Sequence, residues 1–229
     1  MTTYGLKSNI RKKVLLWICV ISLILGSILY PLFSNVMDNI CRQCPSIKEF
    51  ICKWEYLGVF STQLTVITIF GLITWIFNNY LWKTKLFLKI LKIPNLNGVW
   101  EGVLESSYTD SESRQRVKVE MTVTITQTWE KMVCRSKFPK SESSSDIICL
   151  DTESSQGIVL KFTYINQSQD LKCDLPEFSG YNELRLQDEN TLSGTYFTKR
   201  VPSTRGTILL IRRNPSSNIN ENVTGHATI

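Results

Sequence analysis

"RVKVEMTVTIT", Arg116 to Thr126, alternates apolar and polar residues without interruption: Val117, Val119, Met121, Val123 and Ile125 fall on one side, Lys118, Glu120, Thr122 and Thr124 on the other. A period of two is that of a β-strand with one buried and one solvated face. The pattern recurs at Ile158, Leu160, Phe162 and Tyr164, set against Val159, Lys161, Thr163 and Ile165. Extended along the chain, it predicts eight strands: 98–106, 116–127, 129–137, 146–153, 157–166, 181–187, 191–199 and 205–213. No amphipathic helix pattern competes with them. Eight consecutive strands predict a sheet closed on itself, because closure removes exposed edges and side chains fill a barrel of that size. The expected fold is an eight-stranded up-and-down minimal β-barrel over 94–213, lipocalin-like in outline.

The chain before Pro94 has a different character. It holds eleven Lys/Arg against three Asp/Glu, whereas the remainder holds fifteen against seventeen, so the overall charge of +6 hides an asymmetry. The basic residues flank two uncharged apolar runs, Val14–Phe33 and Leu57–Phe77, each about the ~20 residues that cross a bilayer. Arg11, Lys12 and Lys13 could open a secretory signal, but the apolar core is too long and no small-x-small cleavage site follows. Lys7 and Arg11–Lys13 precede the first run, and Lys83, Lys85, Lys89 and Lys92 follow the second. The positive-inside rule therefore predicts a transmembrane hairpin over residues 1–93, with both termini cytoplasmic and a short external loop. Gly26, Ser27, Ser61, Thr65, Thr68 and Gly71 offer small or polar surfaces for close packing of the spans. Cys41, Cys44 and Cys52 fall in the loop, where an oxidising compartment would permit a disulfide; a single C-x-x-C spacing does not specify a metal site. Beside membrane segments, basic charge serves topology, so no DNA or RNA polymer is expected as partner. Residues 214–229 are polar and read as a disordered tail.

In an up-and-down barrel successive connections alternate between ends. The tight ones, near Thr128, Ser154–Gln156 and Asp188–Asn190, share one end; the longer ones, 107–115, 138–145, 167–180 and 200–204, share the other. Trp100 lies at the tight end facing inward with Leu104, where it should plug the floor, and Arg212 or Arg213 would reach the same ring. The open mouth is bordered by Tyr108, Arg116, Tyr164, Tyr196, Thr198, Arg200 and Arg205. Aromatic rings stack on bases and guanidinium groups fork onto phosphates, so this mixture suits a small anionic nucleotide better than a fatty acid. The only histidine, His226, lies in the tail, and no glycine-rich phosphate loop joins a strand to a helix. A non-enzyme without metal or cofactor is expected.

Two spans followed by a β-domain that opens with "PNLNGVWEG" (Pro94–Gly102) and closes with "GTYFTKR" (Gly194–Arg200) and "GTILLIRR" (Gly206–Arg213) resemble a known family. These are the two-transmembrane β-barrel effectors of bacterial CBASS antiphage defence, encoded beside cyclic-nucleotide synthases. The resemblance implies a receptor in the inner membrane. A cyclic dinucleotide would bind the barrel as activating ligand, drive formation of a homo-oligomer, and cause the hairpins to disrupt the lipid bilayer, killing the infected cell. Other readings of the same residues are a membrane-tethered carrier of an apolar ligand and a membrane-anchored scaffold for another protein.

Overall fold

A computed structural model describes residues 1–6, 9–43, 60–109, 115–168 and 178–213. The expectations placed on Cys44, Cys52, His226 and the 214–229 tail lie outside the described residues. The chain divides into two compact units, Asn9–Phe87 and a second made of Met1–Ser8 with Leu88–Ile229.

The first unit contains α1, Ile10–Gln43, and α2, Phe60–Asn79. Within α1, Ile10–Leu32 is long and apolar enough to cross a membrane. The helix runs ten residues past Phe33 and carries Asp38 and Cys41, which the sequence had assigned to the loop. A hydropathy window ends where apolar residues end. The helix continues through Pro31, and neither Gly nor Pro occurs again between Leu32 and Gln43. Ile18, Ser22 and Gly26 form a buried line at four-residue spacing. A Cβ on Gly26 would run into Val66 of α2, so this line is where the two helices pack.

The 3₁₀ turn Leu81–Lys83 and a short helix α3, Lys85–Leu91, occupy the stretch read from sequence as a basic juxtamembrane segment. Lys92 ends α3 in the left-handed conformation, φ 53°, with its N–H bonded to the Leu88 carbonyl.

The second unit is the barrel. After two short strands at the N-terminus, β1 (Thr2–Thr3) and β2 (Gly5–Leu6), it comprises β3 (Gly98–Thr109), β4 (Arg116–Gln127), β5 (Lys131–Lys137), β6 (Ser141–Ser154), β7 (Gly157–Ser168), β8 (Phe178–Asp188), β9 (Thr191–Thr198) and β10 (Arg205–Arg212). Each of β3 to β10 pairs antiparallel with its sequence neighbour. β10 returns to β3, from Gly206 opposite Ser106 to Arg212 opposite Trp100, and closes the eight-stranded barrel that the sequence predicts.

Two strands begin earlier than expected, β8 at Phe178 instead of 181 and, by more, β6. β6 starts at Ser141, so the predicted long loop 138–145 shrinks to Phe138–Lys140. "SESSSD" carries no apolar alternation, yet it alternates in burial: Ser143 and Ser145 face in and Glu142 and Ser144 face out. The hydroxyls are inward-facing residues of a polar lumen, and the Ser145 hydroxyl accepts the Cys134 N–H at 2.9 Å.

The N-terminus supplies a second feature that the sequence does not announce. β5 and β6 pair only from Arg135–Ser144 to Lys137–Glu142. Below that point β1 pairs antiparallel with Met132 and Lys131, and β2 pairs parallel with Cys149 and Leu150. Tyr4, between them, is 1% exposed, and its N–H donates to the Glu130 carbonyl at 3.3 Å. Residues read as a basic leader to the first span are thus a strap inserted in the barrel wall.

Candidate ligand-binding site

The closed end of the barrel is filled. Trp100 is fully buried, its indole N–H donates to the Leu96 carbonyl at 3.0 Å, and the Arg212 guanidinium stacks 4.5 Å from the ring. Arg212 also donates to the Asn95 carbonyl at 2.6 Å, while Arg213 turns outward to Glu101. Gln127, 1% exposed, accepts the Leu96 N–H at 2.8 Å and donates to the Pro94 carbonyl; Asn97 bonds its backbone on both sides. Leu160, Leu184, Leu192, Ile208 and Leu210, each at most 2% exposed, complete the packing above this floor. Such packing leaves no deep apolar lumen.

The other end changes chemistry. Ser106, Ser136, Ser143, Ser145, Asn166, Asn182 and Thr198 are all buried, and Tyr164 and Tyr196 point inward among them. A cavity of about 400 Å³ opens here, lined by Tyr164, Asn166, Phe178, Tyr196, Thr198, Arg200, Phe138 and Lys140, with Leu104 and Val119 also in its wall. That volume falls in the range of small-molecule sites, about 300–1,000 Å³.

Two glycines explain how the tyrosines fit. Gly180 stands opposite Tyr164 across β7 and β8, and a Cβ there would collide with the Tyr164 hydroxyl. Gly206 stands opposite Tyr196, and a Cβ there would collide first with the Glu105 carbonyl and would also meet the edge of the Tyr196 ring at 2.8 Å. Each ring therefore lies over a neighbouring backbone that has no side chain to exclude it. Burial pushes the Tyr164 hydroxyl well above the ordinary tyrosine range; nearby Tyr196 acts in the same direction and Arg200 opposes. The group is a neutral hydrogen-bond donor at physiological pH.

Arg200 owes its position to the β9–β10 connection. Thr198 and Thr204 exchange a hydroxyl contact at 2.9 Å, the Thr204 N–H donates to the Thr198 hydroxyl at 3.1 Å, and the Thr198 N–H donates to the Thr204 carbonyl at 2.8 Å. This clasp holds the loop at its neck. The Arg200 guanidinium then sits 5.6 Å from the centre of the Phe178 ring, within cation–π range, with its donors exposed at the rim.

Of the residues read from sequence, Tyr164, Tyr196, Thr198 and Arg200 come together in this cavity. Tyr108, Arg116 and Arg205 do not. Tyr108 is 55% exposed, and Arg116 pairs with Glu105 at 3.3 Å on the outer wall. Arg116 and Arg205 border a separate outer groove with Tyr181 and Phe197. Position at a strand end did not fix the face; parity did. Val119 and Met121 point inward on β4, and Ile208 and Leu210 on β10, so Arg116 and Arg205 point out. The same parity would have found Asn182, two residues before Leu184, and Asn166, two after Tyr164, both passed over. Among the described residues no group of three potential metal ligands occurs.

Comparison with known proteins agrees with this geometry. The profile of the Cap15 cyclic dinucleotide receptor domain matches residues 91–212, which is β3 to β10 with their lead-in. CD-NTase-associated protein 15 of Yersinia aleksiciae is 30% identical over 143 residues, covering 62% of this chain and 66% of the relative. With more than half of its residues matched by that profile, and in agreement with the resemblance to CBASS effectors, the chain belongs to the family of the Cap15 cyclic dinucleotide receptor domain.

Proposed function

We propose that the cavity at the barrel mouth binds a cyclic dinucleotide and that binding switches the protein into a membrane-disrupting assembly. The observation that carries the reading is the make-up of that cavity: Tyr164 and Tyr196 beside the Asn166 amide and the Thr198 hydroxyl, a wall of Leu104, Val119, Phe138 and Phe178, and Arg200 and Lys140 at the rim. One base would enter the lumen beside Tyr164 and Tyr196, and a phosphate would meet the Arg200 fork. The packed floor counts against a carrier of apolar ligands. The role is that of a receptor, so the ligand leaves chemically unchanged.

Chain connectivity supports the two-span hairpin. Residues 2–6 are strands of the β unit, α1 and α2 follow, and the chain is back in the barrel at Gly98. If α1 crosses a bilayer once, the chain must cross back before rejoining the same domain, and the uncharged α2, 20 residues long, is the available return. Both termini would then share the cytoplasmic side of the bacterial inner membrane. Ligand-linked association of barrels would raise the local concentration of spans and drive their assembly in lipid.

The test is titration of the full-length protein in lipid nanodiscs with a panel of cyclic dinucleotides, with mass measured in detergent before and after saturation. Saturable binding that Tyr196→Ala and Arg200→Ala weaken, with a rise in mass, is the expected result. No binding across the panel would overturn the receptor reading, and binding at unchanged mass would overturn the assembly step.

A further inference from the structure

Two cations line the mouth cavity, and they come from different walls. Lys140 belongs to the β5–β6 turn, where the Phe138 N–H donates to the Ser141 carbonyl at 2.8 Å, and Arg200 belongs to the β9–β10 connection. In the closed sheet β3 and β4 separate these two connections on one side, and β7 and β8 separate them on the other. Lys140 and Arg200 therefore stand at opposite points of the rim. Both are exposed, and neither forms an ion pair among the described residues. No acidic side chain is found among the described residues that line the cavity. A phenylalanine accompanies each cation: Phe138 begins the turn that carries Lys140, and Phe178 lies under the Arg200 guanidinium. Positive charge without an acidic counterpart, at two facing points of one cavity, favours a ligand that carries two anionic groups.

We propose that the mouth is a two-phosphate clamp: Arg200 holds one phosphate of a cyclic dinucleotide and Lys140 holds the other, so that the ring lies across the mouth from wall to wall. The inference rests on the receptor reading given above and adds a second anchor to it. The sugar–phosphate ring of a cyclic dinucleotide carries its two phosphates on opposite sides, and the interior of an eight-stranded barrel is wide enough for one small ligand. The two cations contribute differently. Arg200 offers a planar fork to two phosphate oxygens and fixes the orientation of the ring. Lys140, a point charge on a flexible stem, follows the second phosphate without dictating its geometry. A nucleotide with a single phosphate engages one wall and leaves the opposite cation unanswered, so the clamp selects the two-phosphate ring over a cyclic mononucleotide.

The experiment titrates the full-length protein in nanodiscs with the tightest-binding cyclic dinucleotide of the panel and with its two analogues, in which one phosphate or the other is replaced by a neutral methylphosphonate. The two analogues are one compound when the ring is symmetric. Wild type should bind each analogue about tenfold more weakly than the parent compound. Lys140→Ala should weaken the parent by about the same factor, and in that variant one analogue should bind within about twofold of the parent, because the charge it lacks has no partner left. Arg200→Ala should show the same indifference to the analogue neutralised at the other phosphate. Wild-type affinity of Lys140→Ala for the parent, or an undiminished penalty for both analogues in that variant, overturns the clamp while leaving the receptor reading intact. A marked fall in the ligand-free melting temperature of Lys140→Ala also overturns it, since the residue would then be structural. Absence of binding across the whole panel overturns both the clamp and the receptor reading.

Discussion

Tyr164 lies over Gly180, its hydroxyl occupying the space that a side chain at that position would need. The glycine is therefore part of the site although it offers nothing to a ligand. Gly180→Ala should lower stability by about 1–3 kcal/mol, the usual cost of overpacking, and should weaken ligand binding as the ring is displaced. Adding Tyr164→Ala to that variant should cost less stability than the same change in wild type, because the clash with the ring is relieved while that with the Phe197 carbonyl at 2.6 Å stays. Urea denaturation of the four members of the cycle measures the coupling, and strictly additive changes would refute it.

Arg200 stands at the rim with its donors free toward solvent and its plane over Phe178. Arg200→Ala should weaken cyclic dinucleotide binding about ten- to a hundredfold, the range for a charge-assisted hydrogen bond, and should flatten the salt dependence. Arg200→Lys should recover only part of it, since an ammonium neither forks onto a phosphate nor stacks as a planar group. Calorimetric titration at two ionic strengths separates these effects.

The N-terminal strap makes a stability prediction in a region that touches no ligand. Tyr4→Ala removes a fully covered aromatic side chain from the β5–β6 seam and should cost about 3–5 kcal/mol. Deleting residues 1–6 should do at least that and should speed amide exchange along Lys131–Val133 and Ile148–Leu150. Unchanged protection of those strands would mean that the strap is not part of the wall. A fragment beginning at Ile93 would lack this strap, so ligand titrations are better made on the whole chain.

Cys134 supplies a pH dependence. Burial pushes its thiol from an ordinary value of 9.0 up to about 12. Above pH 9.0 the unfolded chain ionises this thiol while the folded one keeps its proton, so the unfolded state binds fewer protons and stability falls as pH rises. The full contribution is present below that point and is lost progressively toward about pH 12, at no more than about 1.4 kcal/mol per pH unit for one group. Tyr164, also raised by burial, adds a further decline of the same sign above its ordinary value of 10.0. Denaturation midpoints at pH 8.0, 9.5 and 10.5 should show the fall, and Cys134→Ala should remove its lower part.

The barrel could be read from sequence because most of its strands bury one apolar face, and burial with a period of two leaves its mark in residue type. "SESSSD" escaped that reading because its buried face is made of serines, which look like a loop to any test of hydrophobicity. The strap escaped for a different reason. Two residues paired to β5 and two to β6 carry no periodicity at all, and their partners lie more than a hundred residues away. At the site, residue type pointed to the mouth of the barrel, and only four of the seven named side chains enter the cavity there. Arg116 and Arg205 sit at strand ends beside it, one parity step from the lumen.

The sequence by itself determined the uncharged helical stretches, the eight antiparallel strands of the barrel and their order, and the floor set by Trp100 and Arg212. These follow from local pattern and from chain alternation, which are properties of neighbours in sequence. Only the tertiary structure decided that the N-terminus completes the wall, and that Gly180 and Gly206 stand against the rings of Tyr164 and Tyr196. Each of these depends on which distant residues stand opposite one another, and register across a closed sheet is set by all eight strands together.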